Sequence, residues 1–195
     1  MKILLFFLLS INVCTVFAQG LDGKVILGLN VAQVDGDFIW GYNKPGINTG
    51  LAGTLKLAKK MKFQLEILYS IKGAGSTISQ PFLKSSFDYI DFPLTIMYEA
   101  QKKWHLQFGM CINYLLSAKY DMSGFGYNDV KYVMHTFDFA YLAGIEYKLA
   151  EEWAINARWL YSAIPINNYN LLFTRGLYHN YLTFSIRYTF IKSTH

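Results

Sequence analysis

The chain has 195 residues and a formal net charge of +5; 53% of it is hydrophobic, 17% aromatic and 16% charged, where an average soluble domain carries about 25% charged residues. The positive charges are scattered with no basic block, so nucleic-acid binding has no footprint. Only two cysteines are present, Cys14 and Cys111, too few for a disulfide framework.

Met1-Lys2 opens an apolar run from Ile3 to Phe17, ending in Val16-Phe17-Ala18 before Gln19. A positive start, a short apolar core and small residues at the first and third positions before the cut predict a secretory signal peptide over residues 1–18, cleaved after Ala18. The run falls short of the roughly 20 residues that a spanning helix needs. Val13 stands where a small residue should precede a lipidated cysteine, so Cys14 is a poor lipoprotein site. The remaining domain, residues 19–195, then carries a charge of +4 and Cys111 alone, which precludes an internal disulfide.

Eight segments of every-other-residue alternation follow, each with bulky side chains on one face. The first, residues 24–34, sets Val25, Leu27, Leu29 and Val31 against Gly28, Asn30 and Ala32. A loop over 35–46 leads to the second, 47–58, and a tight turn at Lys59-Lys60 leads to the third, 62–72, with Phe63, Leu65, Ile67 and Tyr69 opposite Gln64, Glu66, Ser70 and Lys72. After a long loop over 73–86, the fourth, 87–98, is interrupted by Pro93, where a missing ladder donor predicts a bulge or local kink. A turn over 99–103 leads to the fifth, 104–116, whose Trp104, Leu106, Phe108, Met110, Ile112, Tyr114 and Leu116 alternate without a break. A long loop spans 117–134, the sixth segment 135–149, and a short turn 150–152. The seventh, 153–162, and the eighth, 178–190, flank an Asn-rich loop over 163–177.

Eight strands of about ten residues, joined alternately by short turns and long loops, predict an all-β, eight-stranded antiparallel up-and-down transmembrane β-barrel, with both termini on the short-turn, periplasmic side. An eight-stranded interior barely holds side chains. The register of Trp, Phe, Tyr, Ile and Leu must therefore face lipid, while the Gly, Ala, Ser, Thr and Asn register lines the lumen. Phe63, Tyr98, Trp104, Tyr147, Trp153, Tyr188 and Phe190 would form one interfacial girdle, and Tyr69, Tyr114, Phe137 and Tyr161 the other.

Charges also fall on the inward register. Glu66, Lys72, Asp91, Asp138, Glu146, Arg158 and Arg187 are expected to pair in a polar network centred on the two arginines, and Lys56 and Lys148 share their register. Such a network plugs the barrel; the alternative is a small-solute pore. Catalytic, cofactor-binding and metal-binding signals are thin. His105, His135, His179 and His195 lack ligand spacing and no nucleophile elbow is present, so the chain is read as non-enzymatic and cofactor-free, with Ser162 or Ser185 beside a histidine as the lipid-modifying alternative. Trp40, Tyr42, Phe125, Tyr127, Tyr169 and Phe173 are loop aromatics available for contact with a partner or ligand, or for packing loops together.

Leu65-Glu66-Ile67-Leu68-Tyr69-Ser70 with Lys72-Gly73, Tyr89-Ile90-Asp91-Phe92-Pro93-Leu94, the stretch 109–116, Gly144, Ala157-Arg158 with Tyr161-Ser162, and Arg187-Tyr188-Thr189-Phe190 resemble the PorT-like outer-membrane β-barrel family, small porin-family proteins of Bacteroidota-type envelopes. The resemblance spans nearly all of residues 19–195. It implies residence in outer-membrane lipid, insertion by the barrel-assembly machinery with the strand ending at Phe190 as signal, and an envelope or secretion partner whose identity does not carry over. Residues 191–195 extend beyond that aromatic, a departure from a terminal signal.

Overall fold

The computed structural model describes residues 21–37, 39, 41–76, 82–168 and 175–192. Strands β1 (Leu21–Asp35), β2 (Lys44–Ala58), β3 (Met61–Lys72), β4 (Lys84–Gln101) and β5 (Trp104–Asp121) pair in sequence. A two-residue strand, β6 (Asn128–Asp129), extends the far end of β5, and the wall resumes with β7 (Phe137–Lys148), β8 (Trp153–Ser162) and β9 (Tyr178–Ile191). β9 pairs antiparallel with β1, closing eight staves into one barrel. The predicted export signal, residues 1–18, lies outside the described residues, as do Trp40, Tyr169, Phe173 and His195.

Alternation sets the faces as predicted. Leu27, Leu29, Phe108 and Tyr141 point outward and are each 58% exposed or more, whereas Asn30, Gln64, Gln107 and Asn113 point inward and are fully buried. Outside a membrane each such apolar side chain would forgo about 1.5–3 kcal/mol of burial. The two aromatic girdles take shape across neighbouring strands: Trp104 meets Tyr147 at 4.5 Å and Trp153 meets Tyr188 at 4.8 Å near the short turns, and Tyr114 meets Phe137 at 5.4 Å toward the long loops.

The strands differ from the sequence reading at several ends and at Pro93. β4 and β5 run 18 residues each, because backbone ladder bonds continue past the end of the apolar belt. The sixth segment starts at Phe137, since His135 is held by the loops, its ring nitrogens 3.0 Å from the Pro165 carbonyl and 2.6 Å from Asn168 Oδ1. Pro93 makes no bulge. Leu65 pairs with Leu94 and Leu68 with Asp91 in one unbroken register, with only the rungs between them missing, and Pro93 pairs normally with Cys111 on its other side. The bulges of the β4/β5 ladder fall instead at 88/89 and 99/101.

Candidate functional site

The inward register builds two polar tiers, and barrel closure decides which residues meet. In the tier nearer the short turns, Glu66 on β3 takes both Nη atoms of Arg158 on β8, at 2.9 and 2.5 Å, and Arg187 Nη1 from β9 at 3.1 Å. β3 and β8 are four strands apart in either direction, so the Arg158–Glu66 bridge crosses the full diameter of the lumen. Gln64 donates to Glu66, and Gln107 accepts from Arg158 Nε at 2.7 Å and from Asn156 at 2.8 Å. Glu146 lies 3.5 Å from both Lys24 and Arg187. The hub is thus Glu66 rather than an arginine, because one carboxylate can accept from two guanidinium groups whereas guanidinium groups only donate. Gly144 makes room for the bridge: a Cβ there would sit 2.6 Å from Arg158 Cγ.

Apolar or small residues separate this tier from the next: Ile26 on β1, Leu68 on β3, Cys111 on β5, Leu142 on β7 and Leu160 on β8, all buried. In the second tier, Lys72 Nζ donates to Asp91 Oδ1 at 2.9 Å and to Asn113 Oδ1 at 3.1 Å, and lies 4.5 Å from the ring centroids of both Tyr89 and Tyr181. Two aromatic faces supplement the carboxylate in holding the desolvated ammonium. Asp138 accepts from Asn113 at 3.0 Å and from Ser162 at 3.2 Å. His179 Nε2 lies 3.2 Å from the Tyr89 hydroxyl, again across four strands, and its ring meets Phe87 edge-on. Lys24, Arg158 and Arg187 face Glu66 and Glu146 in the first tier, and Lys72 faces Asp91 and Asp138 in the second; the surplus of one cation offsets the surplus of one anion.

Above the second tier an apolar lid closes the long-loop mouth. Ile39 comes from the β1–β2 connection, Ala74 from β3–β4, Val133 and Met134 from β5–β7, and Ile166 from β8–β9; they pack on Val34, Phe87 and Leu115 from the strands. Backbone bonds stitch the lid: His135 donates to Ile166 and Asn168 to Val133, at 2.8 and 2.9 Å.

All seven network residues of the sequence reading are buried and inward, divided between the two tiers. Lys56 is a correction: it is exposed, because it lies past the last rung to β1, Leu21–Leu55, at the rim of the barrel, although it still pairs with Lys62. Lys148 is half-buried and joins neither tier by an ion pair. Sequence reasoning missed Lys24, Gln64, Gln107, Asn113 and Asn156 as bridging partners, although alternation within their own strands placed each on the inward face. Of the loop aromatics, Tyr42 is tied to the barrel through its hydroxyl, 2.8 Å from Asn180 Oδ1, and Tyr127 lies under Lys84 at 5.3 Å. Phe125 is 97% exposed. It stands between Gly124 (φ +80°) and Gly126 (φ +128°), in a loop whose amides at 123, 124 and 126 all donate to Asp121. Ser162 is bound to Asp138 and to the His179 amide, and Ser185 to Arg187, so both act here as lumen hydrogen-bonding groups.

Residues 17–169 match the family model described as outer membrane protein beta-barrel domain. Among solved structures the chain is similar to neisserial surface protein A, with a TM-score of 0.58 at 13% identity over 86% of this chain and 97% of that one. It is similar also to Ail, the attachment invasion locus protein of Yersinia pestis, with a TM-score of 0.54 at 14% identity over 88% and 99%. At such identities the likeness is one of fold. Comparison with curated proteins gives no match.

Proposed function

We propose that this chain, which belongs to the outer membrane protein beta-barrel domain family and resides in the outer membrane, is a non-conducting barrel with a structural or binding role in the envelope, exercised through its long loops. The observation that carries the reading is the filling of the lumen at successive levels: the Arg158–Glu66 bridge across the diameter, the Lys72 tier, and the apolar lid drawn from all four long connections. In an eight-stranded barrel so filled, a hydrated path needs several buried groups to move together. The termini and short turns face the periplasm in this reading, and the rigidly held, exposed Phe125 offers a contact point outside the cell. Within the family, the ordered motifs from Leu65 to Phe190 favour the PorT-like subgroup, with insertion by the barrel-assembly machinery.

Single-channel recording in planar bilayers tests this. The wild-type barrel gives no stable conductance, and Arg158→Ala, which removes the diametral bridge, gives at most brief openings. Large, steady wild-type currents would assign the chain to the small-solute pores instead.

A further inference from the structure

We infer that the short-turn mouth of the barrel, periplasmic in the reading above, binds a small oxyanion, a carboxylate or a phosphate group, through Lys62 and Lys148 beside the ring of His105. A cavity of about 180 Å³ opens there, walled by these three residues together with Met97, Ala154 and Thr189, with Lys24 and Glu146 at its floor. At about 30 Å³ per water, that is space for roughly six waters, or for one compact anion and the start of its carrier.

The lining holds as many carboxylates as lysines, but most are already committed. Glu146 lies between Lys24 and Arg187 at 3.5 Å from each and accepts from Gln107 at 3.4 Å. At the rim, Glu151 and Glu152 both hold Lys192, at 3.1 and 2.8 Å. Asp22, the fourth carboxylate on the lining, is engaged as well. Lys62 on β3 and Lys148 on β7 are half-buried and form no ion pair among the described residues. Between them on the wall, β5 contributes His105, only 3% exposed, whose Nδ1 has no hydrogen-bond partner among the described residues.

Lysines at a strand end ordinarily extend their ammonium groups into bulk water. The inward parity of positions 62 and 148 instead directs two like charges over one small cavity, beside the buried His105 ring. An oxyanion seated there answers the two lysines: its oxygens accept from both ammonium groups, in charge-assisted bonds strengthened by the low-dielectric surroundings, with the His105 ring on the wall beside it. A cation would face the two lysines, and an apolar ligand would leave both ammonium groups unsatisfied.

The test uses the full barrel in lipid nanodiscs and follows the His105 imidazole NMR signals while sodium phosphate or sodium acetate replaces chloride at fixed pH and ionic strength. The expected result is a saturable shift with at least one of the two anions, weakened tenfold or more in Lys62→Met and in Lys148→Met, and unchanged in Lys102→Met on the β4–β5 turn. Saturation by phosphate alone identifies a phosphoryl ligand, and saturation by acetate a carboxylate. Shifts that rise linearly with concentration, or that respond equally to the Lys62, Lys148 and Lys102 substitutions, overturn the proposal. Should Lys62→Met fail to insert, Lys62→Gln, which keeps a donor without its charge, is read in its place. Conductance plays no part in this readout, so its failure and that of the non-conducting reading are separate events.

Discussion

Glu66 shows how one side chain can determine the state of a lumen. It accepts from Arg158, Arg187 and Gln64 at once, and without it two guanidinium groups would face each other in a water-poor interior. Removing one partner of a buried ion pair costs about 3–5 kcal/mol, while replacing the whole set by apolar groups of similar volume is often neutral or stabilising. Glu66→Ala is therefore expected to lose about 3–5 kcal/mol in urea unfolding from lipid vesicles, and the combination Glu66→Leu, Arg158→Leu, Arg187→Met to recover most of it. Equal loss in both would show that the network stabilises the barrel for its own sake. Gly144 belongs to the same account, since any side chain at that position would displace the Arg158 stem from the wall.

At the scale of the element, strands and loops obey different rules. A strand carries its register through a local defect, as β4 does at Pro93, because rungs on both sides hold it. A loop has no such ladder and depends on a few side-chain contacts. In the β1–β2 connection, the buried Asp37 accepts from the Ile39 amide at 2.8 Å with Oδ1, while Oδ2 has no partner among the described residues. Burial pushes its carboxyl up to about 7, against the opposing pull of the Ile39 amide and with a further upward push from Asp35. The folded loop thus holds this proton more tightly than the open chain does. Its contribution is fully present below the ordinary carboxylate range near 3.8 and is lost as pH rises through about 7. Hydrogen exchange at the Ile39 amide, corrected for intrinsic rate, should accelerate between pH 6 and 8, and Asp37→Asn should flatten that dependence. A wild-type rate insensitive to pH in this window would remove Asp37 from control of the loop.

For the whole molecule, the sidedness proposed above rests on the unequal ends of the barrel, short turns at one and long connections at the other. Cys111 is fully buried in the lumen, so with Cys14 replaced by serine an introduced thiol reports without background. Phe125→Cys should react with a membrane-impermeant maleimide on intact cells, and Lys60→Cys on the β2–β3 turn only after the outer membrane is permeabilised; the reverse pattern would invert the topology. Much of this architecture was legible in the sequence, because a strand exposes its faces at period two and an eight-stranded lumen admits only small or paired residues, so the parity of Leu106 or Glu66 alone assigns it to lipid or lumen. Parity does not say who meets whom. That Arg158 reaches Glu66, 92 residues away, and that Tyr89 reaches His179, follows from closing β9 onto β1, which sets strands four apart face to face. The lid was illegible for the same reason: Ile39, Ala74, Val133 and Ile166 lie on separate connections without periodicity, and only the closed wall brings those connections over one mouth, where their apolar side chains can bury one another.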